Sequence, residues 1–100
     1  MLLHGITFPE QRIADICHAR GVRRLSLFGS ILRDDFDADS DVDILVEFEP
    51  GRTPGLIGFA GLQLDLTELI GRRVHLHTAK MLAPEYRDDV VRQARVQYAA

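Results

Sequence analysis

The sequence has little cysteine: Cys17 is the single one among 100 residues. A lone thiol can form no disulfide within the chain, and it excludes a zinc site built from several cysteines. Cys17 lies beside Ile13 and Ile16 in a stretch with helical periodicity, so we expect it in the core. A cytoplasmic location, in a reducing compartment, is the expectation that follows.

Long apolar segments are also missing. The longest unbroken run of apolar residues and glycine covers 55–62, whereas a membrane-spanning helix needs about 20 such residues. The N-terminus lacks the charged and then apolar pattern of a signal peptide. We therefore expect a protein that is neither inserted in a membrane nor secreted.

Lysine is almost absent, with eleven arginines for one lysine. The arginines are scattered and form no basic stripe interleaved with aromatic residues, so we expect no direct binding of nucleic acid. A hydrophobic content of 46% and a charged content of 27% fit one globular domain over 1–100. Because a chain of this size buries only a modest core, a homo-oligomeric or hetero-oligomeric partner would stabilise it.

Acidic residues are concentrated in one segment. Eight carboxylates and no basic side chain lie between Asp34 and Glu49. Like charges at this density destabilise a fold unless a cation neutralises them or water solvates them. The segment is therefore either part of a metal site or a solvated acidic loop.

Hydrophobic periodicity predicts an α/β fold in which a small mixed sheet carries helices on one face. A possible capping box from Thr7 to Glu10 would open a helix that runs to about Arg20 and ends at Gly21. Strands are predicted over 24–28, 42–48 and 74–78, a helical turn over 31–33, helices over 55–70 and 84–95, and a tail or edge segment over 96–100. In the second helix, one apolar side is expected to contain Leu56, Phe59, Leu62, Leu66 and Leu69.

Gly29 and Ser30 follow the first of these strands, at its junction with a helical turn. A glycine at such a corner lets backbone N–H groups approach an anion, and a serine hydroxyl adds a donor to a phosphate oxygen. Arg33, a few residues further, would reach a triphosphate or remain a solvated arginine among acids. The corner predicts a phosphate-binding site.

Asp41 and Asp43 follow Ser30 after ten intervening residues and enter the strand at 42–48. Residues two apart on a strand point to the same face, here opposite the apolar Val42 and Ile44. Hard cations such as Mg²⁺ take oxygen ligands, often one or two carboxylates together with substrate phosphates. The pair therefore predicts a divalent-metal site beside the phosphate-binding corner.

These motifs resemble the nucleotidyltransferase superfamily that includes DNA polymerase beta, and more closely its minimal branch, the MNT-type proteins often paired with HEPN-domain toxins. The resemblance extends over most of the chain. The segments that carry it are 27–30 (Leu-Phe-Gly-Ser), 32–36 (Leu-Arg-Asp-Asp-Phe), 39–43 (Asp-Ser-Asp-Val-Asp), 45–50 (Leu-Val-Glu-Phe-Glu-Pro) and 69–72 (Leu-Ile-Gly-Arg).

The resemblance implies the palm-like fold of polymerase beta and transfer of AMP from ATP to a protein acceptor, a tyrosine of a HEPN-type toxin. Mg²⁺ or Mn²⁺ would be held by Asp41 and Asp43, while Gly29 and Ser30 steady the phosphates. With a chain this short, we expect acceptor recognition on the surface, at the acidic loop 34–39. Two alternatives remain open, namely a catalytically impaired antitoxin that acts by binding and a small-molecule nucleotidyltransferase.

The chain departs from the family pattern at His75. Relatives usually carry a third carboxylate there, and the resemblance implies that it completes the metal site and helps to deprotonate the attacking hydroxyl. A positioned general base contributes about 10² to 10⁴ in rate, so its loss weakens catalysis without necessarily abolishing it. An imidazole can also act as a base at neutral pH. His75 and His77 share a face, and they would either ligate a softer metal or simply bond to neighbours. His4 and His18 are expected on the surface.

Overall fold

The computed structural model describes residues 1–100. The chain forms three helices and six strands, with short 3-10 turns at Gly29–Leu32 and Ala79–Met81. The strands are β1 Leu2–Leu3, β2 Ile6–Thr7, β3 Val22–Phe28, β4 Val42–Phe48, β5 Val74–His77 and β6 Arg95–Ala99. The helices are α1 Glu10–Ala19, α2 Leu56–Ile70 and α3 Pro84–Gln93. None of the helices is long and apolar enough to span a membrane.

Four strands form one mixed sheet in the order β5-β4-β3-β6. β4 is antiparallel to β3 and parallel to β5, and β6 lies antiparallel on the other side of β3. β1 and β2 form a separate hairpin. This arrangement confirms the predicted α/β class with a small mixed sheet.

One face of the sheet is the core. Seventeen buried residues form a single cluster, to which β3, β4 and β5 contribute alternate side chains such as Leu27, Ile44 and Leu76. Helices α1 and α2 cover this face through Ile13, Cys17, Leu62 and Leu66. The burial of Cys17 confirms the sequence expectation, and burial raises the pKa of its thiol to about 12. His4 and His18 are exposed, as expected.

Most predicted elements are confirmed within two residues. β4 has the predicted bounds, and Gly21 and Gly71 follow their helices with φ of 72° and 79°, the left-handed conformation that glycine adopts without strain. The segment expected as a tail or edge is the edge strand β6. The hairpin of β1 and β2 was not predicted, because its strands are only two residues long.

Two local predictions were wrong. The capping box does not form, because Thr7 pairs with Leu2 in the hairpin and α1 begins after Pro9 with no side-chain cap. Leu56 does not belong to the buried side of α2, since it lies in the first turn and is 86% exposed. Leu62, Leu66 and Ile70 are the residues of α2 that are buried.

Candidate functional site

The predicted carboxylates lie on the sheet face opposite the core. Val42, Ile44 and Val46 of β4 point into the core, so Asp43 points the other way. Asp41 immediately precedes the strand, where the N–H of Val42 donates to the carbonyl of Arg73 at 2.9 Å. This bond ties the start of β4 to the start of β5 and thereby sets the position of Asp41 relative to β5.

Gly29 lies directly against Asp43. Phe28 is the register partner of Asp43 in the antiparallel pair of β3 and β4, and Gly29 follows it with φ of 75°. A Cβ atom at position 29 would be 2.6 Å from Oδ2 of Asp43, closer than Cβ atoms approach other heavy atoms in proteins. Glycine is therefore required twice, for its backbone conformation and for the approach to the carboxylate. Ser30 lies in the 3-10 turn that begins here.

Two histidines of β5 meet the aspartates diagonally across the parallel pair. His75 is the register partner of Asp43, and His77 is the partner of Leu45. The side chains nevertheless reach back by two residues: His75 Nε2 lies 3.2 Å from Asp41 Oδ2, and His77 Nε2 lies 3.6 Å from Asp43 Oδ1. One ligand atom each of Asp43, His75 and His77 lies within 4.8 Å of the others.

The site holds negative charge without a permanent cation. Neither Asp41 nor Asp43 has an arginine or lysine nitrogen within 4.0 Å, and the basic side chains within that distance are the two histidines. His77 Nε2 is a buried side-chain nitrogen with no hydrogen-bond partner. Burial of an unsatisfied polar atom costs about 1–3 kcal/mol, which a bound cation would relieve. The carboxylate oxygens and this orphaned nitrogen therefore fit a divalent metal ion.

Neighbouring groups orient the two histidines. The ring of Phe28 meets that of His77 edge to face, with centroids 5.2 Å apart. β5 is an edge strand, and α2 satisfies its outward N–H groups: Thr67 Oγ1 accepts from Val74 at 3.2 Å and Gln63 Oε1 accepts from Leu76 at 3.0 Å. Leu76 lies between the histidines, so its bond to Gln63 holds the backbone that presents both.

The acidic loop 34–39 is a solvated loop, whereas Asp41 and Asp43, which follow it, belong to the site. Arg72 anchors it by donating to the carbonyls of Asp37, Ala38 and Ser40, the last at 2.6 Å. Its guanidinium also lies 4.9 Å from the centroid of the Phe36 ring. Hydrogen bonds from the N–H of Asp39 and from Ser40 lower the pKa of Asp37. The role of Arg72 was not predicted, because a contact to carbonyls 32 to 35 residues away leaves no local pattern.

Arg33 does not contact the aspartates of the site. Its Nε donates to Asp35 Oδ1 at 3.2 Å, and both side chains are largely exposed. A role for Arg33 in binding a triphosphate stays a prediction, and it would require the side chain to leave Asp35.

A cavity of about 520 Å³ opens on the same sheet face as the carboxylates, further along β3 and β4. β3 and β4 contribute Arg24, Ser26, Leu45 and Glu47 to its wall, and Val91 of α3 closes part of the opposite side. Thr78, the residue after His77, also lines it. The cavity therefore lies next to the histidine end of the site, and its walls contain both charged and apolar side chains.

A mixed four-stranded sheet with a Gly-Ser corner beside two aspartates on its open face is the arrangement of a nucleotidyltransferase. The profile of the nucleotidyltransferase domain family matches residues 10–96. The chain therefore belongs to this family. Membership implies the use of a nucleoside triphosphate and a divalent metal ion.

Individual relatives agree with this assignment. The chain is 34% identical over 85 residues to a Methanocaldococcus jannaschii protein named for protein adenylyltransferase activity, which covers 85% of this chain and 89% of that one. A solved structure described as a minimal nucleotidyltransferase superposes with a TM-score of 0.70 at 40% identity, covering 85% of each chain. A complex of tri-AMPylated Shewanella oneidensis HEPN toxin with MNT antitoxin contains a chain of the same fold. Its TM-score is 0.62 at 20% identity, over 91% of this chain and 70% of that one.

Proposed function

We propose that this protein is an antitoxin that transfers AMP from ATP to a tyrosine of a HEPN-type toxin. The observation that supports the proposal is the close approach of Gly29 to Asp43, which would let phosphates bound at the Gly-Ser corner and a metal ion bound at the carboxylate meet. The names of the relatives support the acceptor class, since one is named for protein adenylyltransferase activity and another is described as an MNT antitoxin in complex with a tri-AMPylated HEPN toxin.

In the proposed reaction, Asp41 and Asp43 hold a divalent ion, Mg²⁺ or Mn²⁺. When bound, the ion neutralises the phosphate charge that develops during transfer. Ser30 and the Gly29 backbone bind the β- and γ-phosphates and orient the α-phosphorus.

The acceptor hydroxyl oxygen forms a bond to the α-phosphorus of ATP, and the bond from this phosphorus to the bridging oxygen breaks. Pyrophosphate leaves with that electron pair. The hydroxyl proton passes to His75, the base nearest to Asp41. Asp41 then stabilises the imidazolium, so the pair substitutes for the third carboxylate of relatives.

The acceptor would approach along the acidic loop. Its carboxylates at positions 34, 35, 37 and 39 are exposed, and Arg72 holds the backbone beneath them. A loop with this charge favours encounter with a basic surface such as that of a ribonuclease.

Incubation of the protein and its HEPN partner with ATP and Mg²⁺, followed by intact-mass spectrometry, tests the proposal. We expect the toxin to gain AMP on a tyrosine, and the Asp41→Asn, Asp43→Asn double variant to lose this product. Asp39→Asn is the matched control, because it removes one exposed loop carboxylate outside the pair. The Shewanella oneidensis antitoxin with its own HEPN toxin is the positive control. If that pair gives AMP-modified toxin and the present protein leaves its partner unmodified, the proposed transfer is refuted.

A second candidate is neutralisation by binding alone, and the histidine at position 75 favours it because the third carboxylate is missing. Growth protection and complex formation would then persist in the double variant. Protection by the wild-type protein but not by the double variant would instead mean that AMP transfer neutralises the toxin.

A further inference from the structure

We propose that Asp43, His75 and His77 form a binding site for a late first-row divalent transition ion such as Zn²⁺, which the protein prefers to Mg²⁺ before nucleotide binds. The proposal refines the metal of the proposed function and shares Asp43 with it. It rests on the positions of the two imidazoles.

The geometry of the cluster fits one ion. A ligand atom from each of the three residues lies within 4.8 Å of the others. Ligands at about 2.1 Å from a common ion lie roughly 3 to 4 Å apart, so the triad needs only a small contraction. His75 is half exposed and can rotate, whereas His77 is held against Phe28. Asp43 and His77 would therefore bind the ion first, and the His75 side chain would then turn onto it.

The chemistry of the donors selects the ion. Two imidazoles and one carboxylate suit Zn²⁺, Co²⁺ or Ni²⁺, while Mg²⁺ prefers oxygen ligands in an octahedron. Three protein ligands also leave a fourth position open, as in catalytic zinc sites. The unpartnered Nε2 of His77 is the donor that Mg²⁺ would leave unsatisfied.

The position of Asp41 supports His75 as a ligand. Metal-bound histidines usually place their other ring nitrogen against a carboxylate, and His75 Nε2 already contacts Asp41 Oδ2 at 3.2 Å. A neutral imidazole that binds a metal carries its proton on the second nitrogen and cannot accept another. Zn²⁺ would thus remove the base of the proposed reaction and inhibit AMP transfer supported by Mg²⁺.

The test is a titration of the nucleotide-free protein with Co²⁺ in the presence of millimolar Mg²⁺, followed by the visible d–d absorption of the bound ion. We expect saturable one-to-one binding with an intense, four-coordinate spectrum. His77→Ala should weaken Co²⁺ binding by about 100-fold or more, because loss of a direct ligand costs at least as much metal affinity as loss of a group that hydrogen-bonds to a ligand. His18→Ala removes an exposed imidazole of α1 and should have no effect.

Displacement of Co²⁺ by millimolar Mg²⁺, or equal Co²⁺ affinity in wild type and His77→Ala, would overturn the proposal. If circular dichroism shows that His77→Ala does not fold, NMR of the histidine rings in the wild-type protein tests the site instead. Co²⁺ added in millimolar Mg²⁺ should shift the ring signals of His75 and His77 far outside the diamagnetic range, as direct coordination of an imidazole does, and leave that of His18 in place; unshifted signals of His75 and His77 would overturn the site. Because no nucleotide is present, this outcome is independent of whether AMP transfer occurs.

Discussion

Gly29 and Asp43 are in such close contact that a Cβ atom on the glycine would lie 2.6 Å from the Asp43 carboxylate, so a side chain at position 29 would have to displace it. The two residues come from adjacent strands, β3 and β4, at the end of their antiparallel pairing. The pairing of the two strands therefore fixes the position of the Gly29 backbone relative to the Asp43 carboxylate.

Replacement of this glycine should damage the site more than the fold. In Gly29→Ala, the positive φ of 75° costs about 1–3 kcal/mol, and the new methyl group also displaces Asp43. Gly51→Ala is the matched control, because its φ is 78° but a Cβ there meets no atom within 4 Å. We expect similar thermal destabilisation in both variants and loss of Mg²⁺-ATP affinity by calorimetry only in Gly29→Ala. Equal affinity in both would show that the contact has no part in binding.

The residue at position 75 should set the efficiency of transfer with Mg²⁺. His75→Asp restores the third oxygen ligand beside Asp41 and should raise the rate, whereas His75→Ala removes the base and should lower it by about 10² to 10⁴. Initial rates of AMP transfer to the toxin, measured at saturating Mg²⁺-ATP, give the comparison. Identical rates in the three proteins would exclude position 75 from the chemistry.

The hydrogen bond from Leu76 to Gln63 should stabilise the strand that carries both histidines. In Gln63→Ala the N–H of Leu76 loses its acceptor, which costs about 1–3 kcal/mol of unfolding free energy in a half-buried setting. Gln11→Ala removes an exposed amide that bonds only to Asp15 within α1, and it should cost less than about 0.5 kcal/mol. Urea denaturation measures both. A loss in Gln63→Ala no larger than in Gln11→Ala would mean that water replaces the lost acceptor.

Alkaline pH should reveal the burial of Cys17. Its pKa is raised from 9.0 to about 12 in the folded protein, so the thiol stabilises the native state fully below pH 9. That contribution is lost as pH rises from 9 towards 12, because the unfolded thiol ionises first. The unfolding free energy of the wild type should therefore fall more steeply over this window than that of Cys17→Ala. Parallel pH curves for the two proteins would contradict a buried, protonated thiol.

The sequence alone predicted most of the elements and the residues of the candidate site that are close together in the chain. The alternation of apolar residues along 42–48 predicts β4 with its observed bounds and places Asp41 and Asp43 away from the core. The glycine at 29 predicts the sharp corner after β3, and the glycines at 21 and 71 predict two helix ends. These features depend on backbone conformation and side-chain period over a few neighbouring residues, which the sequence displays directly.

Tertiary structure alone decided which of these local features meet. The parallel pairing of β4 with β5 brings His75 to Asp41 and His77 to Asp43 across more than thirty residues of chain, and the periodicity of either strand is compatible with other registers. The same holds for Arg72 beneath the acidic loop and Gln63 beside β5. Their partners are backbone N–H and C=O groups, which every residue type offers, so the sequence does not mark them. A register is selected by the summed packing of the core and the hydrogen bonds of the whole sheet, so the cluster of Asp43, His75 and His77 exists only once the chain has folded.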